Sequence, residues 1–178
     1  MEQVMMKLQI GVIGGSQPDN EHRKLGYEVG RLLSDKGVVV ICGGLTGIMD
    51  AVAEGVEAGG GMCIGILPGI SPLDGNRHLT VSLPTGIGFA RNFLIVRASD
   101  ALIAIDGSSG TLSEASFAIT EGKAVVSLDS FKLTRQKETE GNFITASSPS
   151  EAVKLAVEEA IRKREAFGAG NVRVRDFG

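Results

Sequence analysis

The sequence predicts an α/β protein: a Rossmann-like, doubly wound parallel sheet between two helix layers, a three-layer α/β/α sandwich. Short β-branched runs alternate with helical patterns along nearly the whole chain. Four of these seven runs have a glycine within two residues of their carboxyl end. The 178 residues include 25 Gly and no Trp, which suits many tight strand-to-helix turns. Strands alternating with helices build a parallel sheet covered on both faces. Ligands of such sheets sit outside the carboxyl ends of the strands.

Leu8 to Ile13 is a short apolar run closed by Gly14-Gly15 and reads as the first strand. From Asn20 to Lys36, Leu25, Val29, Leu32 and Leu33 share one helical face, and Gly37 ends the helix. Val38 to Cys42 is β-branched enough for a strand buried on both faces, with Gly43-Gly44 after it. Ile48, Val52 and Val56 mark a helix over 48–58, stopped by Gly59 to Gly61, and Met62 to Leu67 is a third strand. A polar loop over 68–78 leads to a short strand, Leu79 to Leu83. A helix follows over Phe89 to Ala98, carrying Arg91 and Arg97. Ala101 to Ile105 is a further buried strand, Thr111 to Glu121 a helix, and Ala124 to Leu128 a strand. Residues 129–142 are polar and irregular, and Phe143 to Thr145 is a short last strand. Ser148-Pro149-Ser150-Glu151 combines an N-cap, Pro at the first helical position and Glu at N3. The helix it opens is expected to end near Arg164. This gives one Rossmann-like domain over 1–164 and a C-terminal tail over 165–178.

At this length a single domain buries roughly 70% of its unfolded surface and needs no covalent staples. The net charge of −3, with both signs scattered, offers no basic footprint for nucleic acid. No apolar run is long enough to span a bilayer. The N-terminal MEQVMMKLQIGVIGG has no signal-peptide pattern. Cys42 and Cys63 lack CxxC spacing and read as reduced, buried thiols. A cytoplasmic protein without a nucleic-acid or membrane partner is the expectation. His22 and His78 have no metal-ligand spacing, and no metal is expected.

Four strand ends deliver residues to the carboxyl edge: Gly14-Gly15-Ser16, Gly43-Gly44-Leu45-Thr46-Gly47, Pro68-Gly69, and Asp106-Gly107-Ser108-Ser109-Gly110-Thr111. The second and last lead directly into helices. Unpaired amides at a helix N-terminus favour an anion, and glycine lets a phosphate oxygen approach the backbone. No GxGxxG follows the first strand, the second strand ends in Cys42 and not in an acid, and no Gly-Lys-Ser/Thr is present. NAD binding and ATP hydrolysis are therefore disfavoured. Thr111-Leu112-Ser113-Glu114 also fits a capping box in which Glu114 reaches back to the Thr111 N–H. Ser108, Ser109 and Ser113 have no nearby His to activate them as nucleophiles.

Gly43-Gly44-Leu45-Thr46-Gly47-Ile48-Met49, Gly59-Gly60 and Ile64-Gly65-Ile66-Leu67-Pro68 together resemble the Lonely Guy superfamily, over about residues 8–128. That superfamily holds cytokinin-activating phosphoribohydrolases and molybdenum cofactor carrier proteins. Many members carry a "lysine decarboxylase" label whose chemistry nothing in these residues supports. The phosphoribohydrolases have an Arg in a Glu-Arg-Lys triplet nine residues before an Asp, then Pro-Gly-Gly-x-Gly-Thr-x-x-Glu. Here Arg91 lies nine residues before Asp100, and residues 106–114 fill the second motif. The resemblance thus implies Arg91 and Glu114 as the catalytic pair. It implies phosphate contacts at Gly107, Gly110 and Thr111, and the residues delivered to the carboxyl edge add Gly14, Gly15, Ser16, Gly43, Gly44, Thr46, Gly47, Met49, Asp106, Ser108 and Ser109 as candidate ligand contacts. Asp106 replaces the motif's Pro, Ser108 its second Gly, and Ala90 and Asn92 flank the Arg. These departures resemble the cofactor-carrier branch. The expectation is a binder of a phosphorylated small molecule, molybdenum cofactor or a nucleoside monophosphate, requiring no cofactor of its own. The alternative is a nucleoside 5′-monophosphate phosphoribohydrolase. The resemblance further implies a homo-oligomer, dimer or tetramer.

Overall fold

Seven strands run parallel in the order β4-β3-β2-β1-β5-β6-β7, in a computed structural model that describes residues 6–133 and 141–169. The strands are β1 (Gln9–Gly14), β2 (Val39–Cys42), β3 (Met62–Leu67), β4 (Val81–Pro84), β5 (Ala101–Ile105), β6 (Val125–Leu128) and β7 (Phe143–Ala146). The helices are α1 (Asn20–Asp35), α2 (Ile48–Ala58), α3 (Arg91–Ala98), α4 (Ser109–Thr120) and α5 (Pro149–Ala169). The α/β/α sandwich expected from the sequence is the observed architecture.

Two cores follow from the pleat, because successive strand side chains point to opposite faces. Ile10 and Val12 of β1 and Ile103 and Ile105 of β5 meet Val29 and Leu33 of α1, Val52 of α2 and Val153 of α5. Ile13, Leu102 and Ala104 point the other way, against Ile95 and Val96 of α3 and Ala115 and Ile119 of α4. Within the first layer α1 and α2 pack backbone to backbone. A Cβ at Gly30 would lie 2.2 Å from the Val52 carbonyl oxygen, and one at Gly55 2.0 Å from that of Tyr27. Cys42 and Cys63 are buried and free, with sulfurs 3.8 Å apart.

Several boundaries differ from the sequence pattern. The short strand expected at Leu79–Leu83 is β4 at Val81–Pro84. The helix expected from Phe89 begins with a 3-10 turn, Gly88–Ala90, and is α-helical from Arg91. The helix expected from Thr111 starts at Ser109, so the proposed Thr111–Glu114 capping box does not form. Ser108 is the N-cap and Thr111 occupies N3, and these two side chains cap each other's backbone amides. Glu114 is carried a further turn along and turned inward. The last helix continues past Arg164 to Ala169, and residues 170–178 lie outside the described residues, as do 134–140. None of the helices described is long and apolar enough to cross a membrane.

The chain winds outward from β1 through β2 and β3 to β4, then returns across β1 to β5 and proceeds to β7. The strand order therefore reverses between β1 and β5, and the crevice outside their carboxyl ends is the place such a sheet offers a ligand.

Candidate functional site

A cavity of about 260 Å³ opens at that switch point. Its floor is β1, through Val12, Ile13 and Gly14. One wall is the turn after β2, through Gly43 and Leu45, with Met49 behind it. The opposite wall is the start of α4, through Ser108, Gly110 and Thr111. Arg91 and Asn92, at the start of α3, and Glu114, inside α4, close the remaining side.

Glycine at 43 is a steric requirement. A Cβ there would lie 2.3 Å from Arg91 Nη1 and 2.5 Å from Met49 Sδ, so the guanidinium lies against bare backbone. Arg91 is only 6% exposed, and its Nε has no hydrogen-bond partner among the described residues. A buried charged donor left unpaired is costly. Glu114, also 6% exposed, borders the same cavity. Burial pushes the Glu114 carboxyl up to about 7, against the opposing pull of Arg91. Burial likewise lowers Arg91, and the Glu114 charge partly restores it.

The α4 turn presents backbone donors. The first intrahelical bond runs from the Leu112 N–H to the Ser108 carbonyl at 3.0 Å. Ser109 and Gly110 therefore have amides with no intrahelical acceptor. No acidic residue stands in this first turn. Thr111 is buried, and its Oγ1 accepts from the Ser108 N–H at 3.5 Å.

The turn after β2 is largely committed within the protein. The Ile48 N–H donates to the Gly15 carbonyl at 3.0 Å, and Thr46 Oγ1 donates to that of Ser16 at 3.3 Å. Gly47, at φ 74, would place a Cβ 2.4 Å from the Gly15 oxygen. Gly44, at φ 72, packs against Leu67 and lets its carbonyl accept from the Asn76 N–H. The first turn of α2 also contains Asp50, which is paired with Arg23 at 2.7 Å.

Of the residues singled out in the sequence, Gly14, Ser16, Gly43, Met49, Arg91, Ser108, Gly110, Thr111 and Glu114 come together around the cavity. Gly15, Gly44, Thr46, Gly47, Gly107 and Ser109 stand behind or beside the wall. Gly107 faces the Phe131 ring. Asp106 sits at the rim in the left-handed region, φ 55, with its carboxylate over Gly15. The Ser130 hydroxyl donates to the Asp106 carbonyl. Val12, Ile13, Leu45, Phe89 and Asn92 line the cavity without having been singled out. Phe89 and Asn92 flank Arg91 closely in sequence, and that adjacency was the available signal. His22 lies between Asp19, at 2.8 Å, and Asp129, at 3.2 Å. Burial works against its charged ring, yet the hydrogen bond and charge of Asp19, with Asp106 and Asp129, hold His22 above the ordinary imidazole range. Among the described residues no cluster of three or more His, Cys, Asp or Glu could hold a metal.

A larger hollow, about 770 Å³, lies at the amino edge of the sheet by Gln9, Ser99 and Lys123. Its cations are already engaged. Lys123 Nζ donates to the carbonyls of Val96, Arg97 and Ser99, and Arg164 pairs with Asp100 at 2.7 Å. The buried guanidinium with an unpartnered Nε, Arg91, borders the switch-point cavity instead.

Fold and cavity together define a Rossmann-like α/β protein with a buried arginine and a buried glutamate bordering its switch-point cavity. The chain belongs to the SLOG cluster4 family, whose model matches residues 7–153. It thereby falls in the Lonely Guy and molybdenum cofactor carrier superfamily that the sequence resembles. A solved molybdenum cofactor binding protein from Rippkaea orientalis superposes with a TM-score of 0.80 at 32% identity, covering 88% of this chain and 99% of that one. The molybdenum cofactor carrier protein of Chlamydomonas reinhardtii does so with a TM-score of 0.77 at 26% identity, over 88% and 99%. An Archaeoglobus fulgidus protein is 45% identical over 70% of this chain and 82% of its own length. A probable cytokinin riboside 5′-monophosphate phosphoribohydrolase of Oryza sativa subsp. japonica is 32% identical over 60% of this chain. The chain spans 45% of that enzyme's length.

Proposed function

We propose that the protein binds a phosphorylated small molecule of the molybdenum cofactor type in the manner of a carrier, with the phosphate in the switch-point cavity. The observation that carries this reading is Arg91: a buried guanidinium with an unpartnered Nε, bordering the cavity that the start of α4 also borders. A phosphate would accept a charge-assisted hydrogen bond from Arg91 and further ones from the Ser109 and Gly110 amides. The likeness to the two cofactor-binding structures, over nearly their whole lengths, supports the same reading. Protein purified under reducing conditions should release a pterin, read by its fluorescence after oxidation, or bind inorganic phosphate and ribose 5-phosphate in calorimetry. Arg91→Ala should weaken ribose 5-phosphate at least about tenfold, since hydrogen bonds to charged groups contribute about 1.5–3 kcal/mol. The absence of both a retained pterin and measurable affinity for either phosphate would sink the reading.

One observation favours a second reading, hydrolysis of a nucleoside 5′-monophosphate. Glu114 titrates at about 7 and borders the cavity of Arg91, so near neutral pH both its forms are populated. As the C1′–N bond breaks, positive charge builds on the ribose, which the Glu114 carboxylate would stabilise while activating water. The water oxygen joins C1′, one proton passes to the departing base, and Arg91 holds the phosphate. Incubation with AMP should then give adenine and ribose 5-phosphate, and Glu114→Gln should abolish the release. The same preparation used for ligand retention separates the two readings: binding without turnover leaves the carrier alone.

A further inference from the structure

Phe89 is 89% exposed, although it stands next to a buried charge site. It belongs to the 3-10 turn Gly88–Ala90, which opens with Gly88 at φ 59 and follows Gly86 at φ 68. A β-carbon at Gly88 would meet open space, while the Gly88 N–H donates to the Pro68 carbonyl at 3.0 Å and anchors the backbone of the turn that carries the ring. The ring borders two hollows. One is the switch-point cavity. The other, of about 480 Å³, lies between α3 and α4. Phe89, Asn92 and Gly110 line both, so the hollows adjoin around these three residues.

Their chemistry differs. The first contains Arg91 and Glu114. The second contains no charged side chain: its walls are Phe89, Phe93 and Phe117, with the Ser109 and Ser113 hydroxyls at the fringe. Phe93 and Phe117 meet edge to face, ring centroids 5.5 Å apart. A phosphate held at Arg91 thus has, across the shared residues Phe89, Asn92 and Gly110, an aromatic cleft with a few polar atoms at its border. Aromatic walls of this kind suit a flat ring, whose faces stack while its edge atoms reach polar groups.

The geometry points to the α3–α4 cleft as the ring subsite of the phosphorylated ligand. A planar heteroaromatic group, as in a purine nucleotide or a phosphorylated pterin, lies against Phe89 and Phe117 while its phosphate is held at Arg91. This rests on the anion-binding reading above and adds to it which end of the ligand goes where. Phe89 is then a specificity residue that distinguishes ring-bearing phosphates from bare sugar phosphates.

Calorimetry on the wild-type protein and Phe89→Ala, with ribose 5-phosphate, AMP and neopterin monophosphate as probes, tests it. The wild type should bind one ring-bearing probe more tightly than ribose 5-phosphate, and which one it prefers identifies a purine or a pterin ligand. Phe89→Ala should cost that probe about tenfold, within the range that base stacking on one aromatic side chain supplies. Ribose 5-phosphate should change by less than about twofold, and Phe89→Trp should restore the preference. Equal losses for all probes, or no loss for the ring-bearing ones, would overturn the proposal. So would a change in particle mass on Phe89→Ala by light scattering, which would place the ring against a second copy of the chain. Failure of ribose 5-phosphate to bind the wild type would sink the anion-binding reading, and this inference with it.

Discussion

The two glycine-rich turns at the sheet edge, after β2 and after β5, look alike in sequence and do different work. In the first, glycine serves the protein's own packing: Gly44 and Gly47 take left-handed φ, and their missing β-carbons make room for Leu67 and for the Gly15 carbonyl. The first amide of α2 is bonded to that same carbonyl, and an acid occupies the first helical turn. In the second, a Cβ at Gly110 would meet nothing closer than 3.8 Å, and the first turn of α4 has no acid, Asp106 standing before the helix. A glycine kept by internal packing has protein atoms where its Cβ would go, whereas one kept for a ligand has open space. On that criterion Gly107, with Phe131 2.9 Å from its Cβ position, serves packing, and Gly110 is the open glycine that the proposed anion would approach. The β2 turn contributes mainly the bare backbone at Gly43 on which Arg91 rests.

The largest effect expected from breaking this contrast is at Gly47. Gly47→Ala adds left-handed strain to a clash with the Gly15 oxygen, and should cost about 3 kcal/mol or more in urea unfolding. A loss under about 1 kcal/mol would show that the β2 turn is as open as its partner.

The next effect sharpens the α4 side. Glu114 is raised from 4.5 to about 7, so the folded protein holds its proton more tightly than the unfolded chain does. The corresponding stability is fully present below about pH 4.5 and is lost as pH rises through about 7. The difference corresponds to about 3 kcal/mol at full ionisation. Glu114→Gln, which cannot ionise, should therefore be close to wild type at pH 5 and more stable than wild type at pH 8. Equal offsets at the two pH values would show that Glu114 is not held in a low-dielectric wall. Ribose 5-phosphate affinity should likewise fall through pH 7 in the wild type relative to Glu114→Gln, because an ionised Glu114 repels the anion. Taking the variant as reference cancels the ligand's own titration.

How legible this site was depended on the range of the interactions involved. Strand and helix order came through because β-branched runs and i, i+4 spacing are local signals, and the parallel sheet followed from their alternation. Arg91 and Glu114 were legible through motif spacing. The inward turn of Glu114 was not, because it depends on α4 starting two residues earlier than Thr111, at a Ser108 cap that competes with an equally plausible Thr-x-x-Glu pattern. The division of labour between the glycine turns was also hidden. It is set by contacts between segments some 30 residues apart, such as Thr46 with Ser16. Phe89 reads as one more apolar residue at a helix start, and only the fold shows that it stands in solvent between two hollows.

The smallest effect on stability is the most informative about the α4 turn. Gly110 occupies the second position of α4, in the first turn, where its backbone is helical and a methyl group has room. Alanine loses less backbone entropy than glycine in a helix, so Gly110→Ala should leave stability unchanged or raise it by up to about 1 kcal/mol. If the Gly110 amide meets a phosphate, the same methyl group, set on a wall of the cavity, should crowd the incoming oxygens and weaken ribose 5-phosphate by roughly the tenfold that 1.4 kcal/mol represents. Stability kept and affinity lost would mark a glycine retained for a ligand. Stability and affinity both kept would mean that the anion does not approach this turn, leaving Arg91 as its sole anchor.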